Sequence, residues 1–380
     1  MSTSILDTGI KVVRNVGGFT VGRGSVAQLP AFVDTRRAVI GGDAQVVYLV
    51  DEYFRDQHEI LQKLGRRESD VLRFVEVTDE PTTSGIDAIT AQLRAQLAKT
   101  PATIVGIGGG TTMDTAKAVA NLLTNGGKAA DYQGWDLVKV PAVHKIAVPT
   151  ISGTGSEATR TCVMTNTETG VKLGMNSDFT VFDQMVLDPD LTATVPRSQY
   201  FYTGMDAYIH CIEALAGSYR NAVGDAYSRE TVNLCRQVFL GEDMMSADAR
   251  EQLMVASYLG GCAIATSYVG VVHPFSAGLS VVLGLHHCVA NCIALNALGE
   301  FYPDAHREFR SMLAAQGVSL PTGVCADLTD QQFDALVAAT VVHAKPLTNA
   351  LGANFRTVLT NERVIRSEEH TSELQSPMYL

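Results

Sequence analysis

Two short stretches carry the residue types and spacing that hold a metal ion. In "GMDAYIHCIEAL" Asp206 and His210 stand four positions apart, so on a helix they share one face. A carboxylate and an imidazole spaced in this way bind one ion together or simply form a surface pair. The segment "HPFSAGLSVVLGLHH" adds His273, His286 and His287. A straight helix would hold His273 and His287 about 21 Å apart. One ion with ligand bonds of about 2 Å cannot span that gap. The two share an ion only if the chain reverses between them, and Pro274, Gly278 and Gly284 permit a reversal. His286 and His287 are adjacent, so on a helix they point about 100° apart and only one of them faces inward.

These histidines sit in a run from Gln252 to Gly299 without Asp, Glu, Lys or Arg, in a chain that is 18% charged. Such a run suits either a membrane span or the buried wall of a site. Gly260, Gly261, Gly270, Pro274, Gly278 and Gly284 interrupt it, and no basic flank marks an inner end. The expectation is therefore a helical wall around a metal site, with no membrane. A dry wall also strengthens an ion's pull on a substrate oxygen.

A second set of residues suits a phosphate-bearing ligand. "ATIVGIGGG" reads as a strand entering a glycine turn, and "TTMDTAKAVANLLTNGG" as the helix that follows. Three consecutive glycines, Gly108 to Gly110, let the backbone approach a ligand closely, and the free N–H groups of the helix that follows suit a phosphate. The spacing matches neither the dinucleotide fingerprint nor the P-loop. Asp51 ends the strand in "QVVYLVDE", where a carboxylate can accept from ribose hydroxyls, although it precedes the glycine turn. "PTISGTGSE" follows another strand, "HKIAVPT", and sets Thr150 and Thr154 on a polar loop. Ligands of open α/β sheets collect at the edge where all three segments end.

The elements that must position these groups follow from the alternation of the first half. "RAVIGG" reads as a further short strand and "SGIDAITAQLRAQLAKT" as an amphipathic helix. Strand–helix alternation predicts a parallel, Rossmann-like α/β domain. After "VLDPDLTATVPRSQ" the patterns are helical almost throughout, predicting an all-α metal-binding domain. The boundaries are set at residues 1–190 for the dinucleotide-binding domain and 191–365 for the metal and substrate domain. Residues 366–380, "RSEEHTSELQSPMYL", are polar and aperiodic and resemble a translated sequencing adapter, so they are set apart as a non-native tail. A net charge of −11 without a basic cluster argues against nucleic acid. Seven scattered cysteines without a CxxC pair, and an N-terminus without an apolar signal region, predict a cytoplasmic protein.

In this order, "FTVGRGSV", "GIGGGTTMDTAKA", "PTISGTGSEAT", "VLDPDL", "GMDAYIHCIEA" and the late histidine pair resemble the iron-containing (group III) alcohol dehydrogenases across about residues 15–365. The resemblance implies an NAD-dependent oxidoreductase that transfers a hydride from a primary alcohol. It implies Asp206, His210, His273 and His287 as ligands of Fe(II), a set that also suits Zn(II). It places NAD against Asp51, Gly109, Gly110, Thr111, Thr150, Thr154 and Lys172, and suggests a homodimer. Three departures stand out: Ala277 where many members have a further histidine, Cys288 where many have glycine, and Glu80 where many have asparagine. The stretches "DYQGWDLVKVPAVHKIAVPT" and "LGMNSDFTVFDQMVLDP" resemble the 3-deoxy-manno-octulosonate 8-oxidases of that family. That implies a sugar-acid substrate, with Arg160 or Lys172 facing its carboxylate, and a place in lipopolysaccharide biosynthesis. Two other readings share the same features: a dehydroquinate-synthase-like lyase using NAD and a metal, and a non-catalytic nucleotide- or metal-sensing module.

Overall fold

The computed structural model describes residues 13–360. It divides into two compact units between Val195 and Pro196. The expected boundary at residue 190 falls within a 3-10 turn, Pro189–Thr192. The tail assigned to residues 366–380 lies outside the described residues, as does the end of the second domain at 365.

The first unit contains β1 (Gly18–Val21), α1 (Leu29–Ile40), β2 (Val46–Asp51), α2 (His58–Lys63), β3 (Val71–Val75), α3 (Thr83–Gln96), β4 (Thr103–Gly108) and α4 (Gly110–Asn125). It continues with β5 (Gly134–Trp135), β6 (Lys145–Pro149), β7 (Thr161–Asn166), β8 (Val171–Asn176) and β9 (Gln184–Leu187). Six strands form a wholly parallel sheet in the order β1-β9-β6-β4-β2-β3. Strands β2, β4 and β6 lie at its centre and are buried along nearly their whole length. This explains their continuous apolar runs, since a parallel strand covered on both faces has no polar side to show. Val46, Tyr48, Val50, Val105, Ile107, Ile146 and Val148 pack with Leu29 and Val33 of α1 in one core. The fold is thus the α/β class expected for this half.

One expected strand is a helix instead. "RAVIGG" supplies the last turn of α1 and its stop at Gly41, whose φ is 138°. Leu29, Val33 and Arg37 recur every fourth residue on the buried face, so the helical period prevails over the local β preference of Val39 and Ile40. Arg37 passes for a surface residue in sequence, yet it is buried and ion-paired with Asp70. A small sheet, β5-β8-β7, with an antiparallel β7–β8 pair, was also not legible from the periodicity.

The second unit, as described, is entirely helical. It comprises α5 (Arg197–Ala216), α6 (Ala222–Phe239), α7 (Ala247–Thr266), α8 (Val272–Leu283), α9 (His287–Ala297), α10 (Pro303–Gln316), α11 (Asp330–Val341), α12 (Ala344–Leu351) and α13 (Phe355–Val358). Helix α5 is buried on nearly every side and packs against α6, α7 and α9. Gly204 makes the close packing possible. A Cβ there would stand 2.5 Å from the Phe239 ring of α6 and 2.8 Å from Leu253 of α7. No helix among the described residues is long and apolar enough to cross a membrane. The charge-free run is spent on α7, α8 and α9 as core-facing helices.

Candidate functional site

In the second unit, Asp206 and His210 project from successive turns of α5, as their spacing predicts. His273 lies in the first turn of α8, where Pro274 is tolerated because no helical N–H is lost there. Helix α8 stops at Gly284, a left-handed residue with φ 67° whose N–H returns to Ser280 O. The chain then turns back through Leu285 and His286, and α9 opens with His287. This reversal brings His287 back toward His273, with ring centroids 5.4 Å apart.

The convergence point is Oδ1 of Asp206. His273 Nε2 lies 3.3 Å from it, His210 Nε2 3.4 Å and His287 Nε2 3.8 Å. The ligand atoms of Asp206, His210 and His273 all lie within 4.8 Å of one another, and His287 stands outside that tight group. The His210 and His273 rings stack at 4.6 Å. His286 is exposed at the N-terminus of α9. Asp206 is only 1% exposed. Burial alone would raise its carboxyl, but the surrounding imidazoles more than reverse this and hold it well below the usual carboxylate range. Burial pushes His210 down to about 4, which leaves its ring neutral and able to donate a lone pair. Burial also opposes charge on His273, but Glu213 and Asp206 outweigh it and raise that imidazole to about 9.

These residues fit a divalent cation. Among the described residues no lysine or arginine pairs with Asp206. A carboxylate buried this deeply needs a cation beside it, either a metal ion or the proton that His273 holds when no metal is bound. One carboxylate and three imidazoles form the mixed N/O donor set that suits Fe(II) and Zn(II).

Other groups at this point were not picked out as site residues in sequence. Asn291 Nδ2 donates to Asp206 Oδ1 at 2.7 Å and lies 3.2 Å from His287 Nε2. Asn291 follows His287 by one helical turn, so the signal was available. The Cys288 thiol faces the other carboxylate oxygen, 3.7 Å from Asp206 Oδ2. Glu213, one further turn along α5 from His210, holds His273 Nδ1.

In the first unit, Asp51, the glycine turn and the Thr150 loop meet at the carboxyl edge of β2, β4 and β6. Asp51 Oδ1 accepts from Tyr53 N–H at 2.9 Å, and the carboxylate also accepts from Gly109 N–H. Burial raises its pKa. Gly108 is required by this closeness. A Cβ there would lie 2.5 Å from Thr112 Oγ1 and 2.9 Å from Asp51 Cβ. Gly109 leads into α4, so the N–H groups of Gly110 and Thr111 belong to its unsatisfied first turn. Cβ atoms at Gly109 and Gly110 would lie 3.0 Å from Ile151 and 3.1 Å from Thr154. Thr150 N–H donates to Gly108 O at 3.0 Å, tying the loop to the turn. The buried hydroxyls of Thr112 and Ser152 have no protein partner here. Bare glycine backbone, a helix N-terminus and unpartnered hydroxyls fit a dinucleotide phosphate.

Lys117 holds this loop from beneath. Its ammonium is fully buried and donates to Thr159 Oγ1 (2.9 Å), Thr161 O (2.7 Å) and Ser156 Oγ (3.2 Å), with Asp114 at 3.9 Å. Neither Lys117 nor Asp114 was singled out in sequence, because their (i, i+3) spacing looks like a surface pair. Lys172 stands on β8 of the small sheet and pairs with Glu80 at 2.5 Å. Arg160 is engaged by Asp136 and Asp178, at 2.5 and 3.1 Å.

Residues 18–189 match the family described as iron-containing alcohol dehydrogenase, and residues 200–345 match the C-terminal part of the Fe-containing alcohol dehydrogenase family. The NAD-dependent methanol dehydrogenase of Bacillus methanolicus is 30% identical over 285 residues, 72% of this chain and 71% of that one. The 4-hydroxybutyrate dehydrogenase of Cupriavidus necator is 29% identical over 347 residues, 80% and 90% of the two chains. A solved sulfoacetaldehyde reductase from Bifidobacterium kashiwanohense, in complex with NAD+, shares the fold. Its TM-score is 0.76 at 20% identity, over 96% of this chain and all of the other. The chain therefore belongs to the iron-containing alcohol dehydrogenase family.

Proposed function

We propose that the chain is an NAD-dependent, iron-containing oxidoreductase acting on a primary alcohol or the matching aldehyde, with Asp206, His210, His273 and His287 holding the ion. The observation that carries this reading is the convergence of three imidazole Nε2 atoms on one buried carboxylate oxygen that, among the described residues, pairs with no lysine or arginine. A divalent ion held there supplies Lewis acidity toward an alcohol oxygen, and a bound nicotinamide supplies the hydride acceptor. The chain's own residues do the rest. Asp206 offers the anionic donor, His210 a neutral ring nitrogen, and His273 a second ring nitrogen that would give up its proton to a bound ion. The walls of α8 and α9, which carry no Asp, Glu, Lys or Arg, keep water and competing ions away. Gly110 and Thr111 offer backbone N–H groups to phosphate, Gly109 leaves room for its approach while its own N–H holds Asp51, and Asp51 accepts from a ribose hydroxyl. Lys172, buried and paired with Glu80, would complete the cofactor site. Ala277, one turn after His273, has no titratable group, so proton transfer falls to another residue or to water.

The substrate we favour carries an anionic group, and the terminal hydroxyl of 3-deoxy-manno-octulosonate is the specific candidate. The relatives named for sulfoacetaldehyde and 4-hydroxybutyrate act on short substrates with a sulfonate or a carboxylate. The octulosonate reading rests on the quoted stretches and would place the enzyme in lipopolysaccharide biosynthesis. A cytoplasmic location agrees with seven buried cysteines and no disulfide. A homodimer agrees with β1 as an edge strand bearing exposed Phe19 and Val21.

The test is anaerobic loading with Fe(II) or Zn(II), then NADH absorbance over a panel of simple alcohols, ω-hydroxy acids and the octulosonate. NADH formation that disappears with a chelator, and in Asp206→Asn, is the expected result. Turnover without net redox change would favour the lyase reading. Binding of metal and NAD with no turnover on any substrate would favour the sensing module.

A further inference from the structure

Glu213 is the least exposed carboxylate near the metal-binding cluster and makes no ion pair with lysine or arginine among the described residues. One of its oxygens, Oε2, lies 2.5 Å from His273 Nδ1. The other, Oε1, accepts from the backbone N–H of Val272 at 2.5 Å and from the Tyr302 hydroxyl at 3.4 Å. Tyr302 in turn accepts from Val271 N–H at 3.1 Å. Space for this arrangement depends on Gly270, where a Cβ would lie 2.3 Å from the Tyr302 hydroxyl and 3.0 Å from Glu213 Oε1. The three imidazoles are not held alike. His210 Nδ1 is buried without a hydrogen-bond partner, whereas His273 Nδ1 is gripped by a carboxylate.

We infer that Glu213 is a positioning residue for the metal centre: by accepting from His273 Nδ1–H it leaves Nε2 as the nitrogen that faces a metal and yields its proton to it, aimed at the point where Asp206 Oδ1 and His210 Nε2 meet. The inference rests on the metal reading above. Its physical basis is that a ring nitrogen bound to a carboxylate fixes both the tautomer and the ring plane of a ligating histidine, and makes its other nitrogen a stronger donor. Asp206, His210 and Glu213 follow one another at four and three residues along α5. One helical face therefore carries an anionic ligand, an imidazole ligand and the anchor for a third ligand on α8. Glu213 also accepts from the first N–H of α8, that of Val272, where a carboxylate is favoured by the helix dipole. That second role is structural, and the test must separate it from the first.

Glu213→Gln does so. The amide can still accept from Val272 N–H, which preserves the helix cap. Its NH2 group then faces His273 Nδ1, which favours the opposite tautomer, with the proton on Nε2. The measurements are made on the full chain: the melting temperature of the metal-free protein, Zn(II) affinity by chelator competition, and the visible spectrum of the Co(II) form. The expected result is a melting temperature close to wild type, Zn(II) affinity lower by roughly 10–100-fold, and an altered Co(II) ligand-field spectrum. Glu213→Asp keeps the charge but withdraws the carboxylate from the ring. It should also weaken Zn(II) and shift the spectrum, and it serves if the glutamine variant does not fold. Wild-type affinity and spectrum in whichever of these variants folds would overturn the proposal and reduce Glu213 to a helix cap. Asp206→Asn is the control for the underlying reading. If it too binds Zn(II) like wild type, the metal centre itself is misassigned and the inference falls with it.

Discussion

His287 approaches Asp206 less closely than the other two imidazoles do, at 3.8 Å against 3.3 Å for His273 and 3.4 Å for His210. Its side chain is also 31% exposed, against 11% and 5%. The buried three-donor cluster therefore has an outer arm. His287→Ala should weaken Zn(II) binding by roughly tenfold or more yet leave some metal bound, whereas Asp206→Asn and His210→Ala should strip the site. His286→Ala should change nothing, because that side chain faces solvent. Equilibrium dialysis with elemental analysis reads all four. A His287→Ala protein as metal-free as Asp206→Asn would mean that the four donors act only as a set.

Asp51 sets the expected choice between NAD and NADP. Its carboxylate ends β2 beside Gly109 and would repel a 2′-phosphate while accepting from a ribose 2′-hydroxyl. Asp51→Gly should weaken NAD by about tenfold, or about 1.4 kcal/mol, and narrow the preference over NADP. Comparing kcat/KM for the two cofactors settles it. A wild-type enzyme that uses NADP as well as NAD would contradict this role.

Lys117 is fully buried, and burial lowers its pKa, yet Asp114 and the oxygens of Ser156, Thr159 and Thr161 surround it. Lys117→Met would leave those oxygens unpaired and Asp114 without its cation. The expected loss is about 3–5 kcal/mol of unfolding free energy in urea. Adding Asp114→Asn should recover part of it, because the stranded charge is then gone. A single variant within about 1 kcal/mol of wild type would show that the loop holds itself.

Lys145, at the start of β6, gives a pH signature. Burial pushes its amine down from 10.5 to about 8, despite Phe179 O at 2.9 Å and Asp183 at 3.8 Å. Below about 8 the amine is charged in both states and the cost of burying it is fully present. Between about 8 and 10.5 the unfolded chain takes up a proton that the folded chain does not, so stability rises with pH. Relative to Lys145→Met, wild type should gain about 3 kcal/mol across that window. A difference that stays flat from pH 7 to 10.5 would refute the burial argument.

The local chemistry was legible from residue order alone. Strand–glycine–helix at Gly108–Gly110 reads directly, because the apolar run, the glycines and the helical period are all local. Asp206 and His210 share a face because (i, i+4) spacing is a property of any helix. The absence of charge from Gln252 to Gly299 announced burial. What only the tertiary structure decided is where distant groups meet. Gly284 permits a reversal in sequence, but only the packing of α9 against α5 and α8 returns His287 toward Asp206. Glu213 looks like one more helical glutamate until α8 sets Val272 N–H and His273 Nδ1 against its two oxygens. Arg37 and Lys117 look solvated until burial gives each a carboxylate partner. "RAVIGG" has strand-like residues, yet the contact of Leu29 and Val33 with the sheet commits it to a helix. Periodicity reports which face of an element is apolar, and it carries no information about which other element will cover that face.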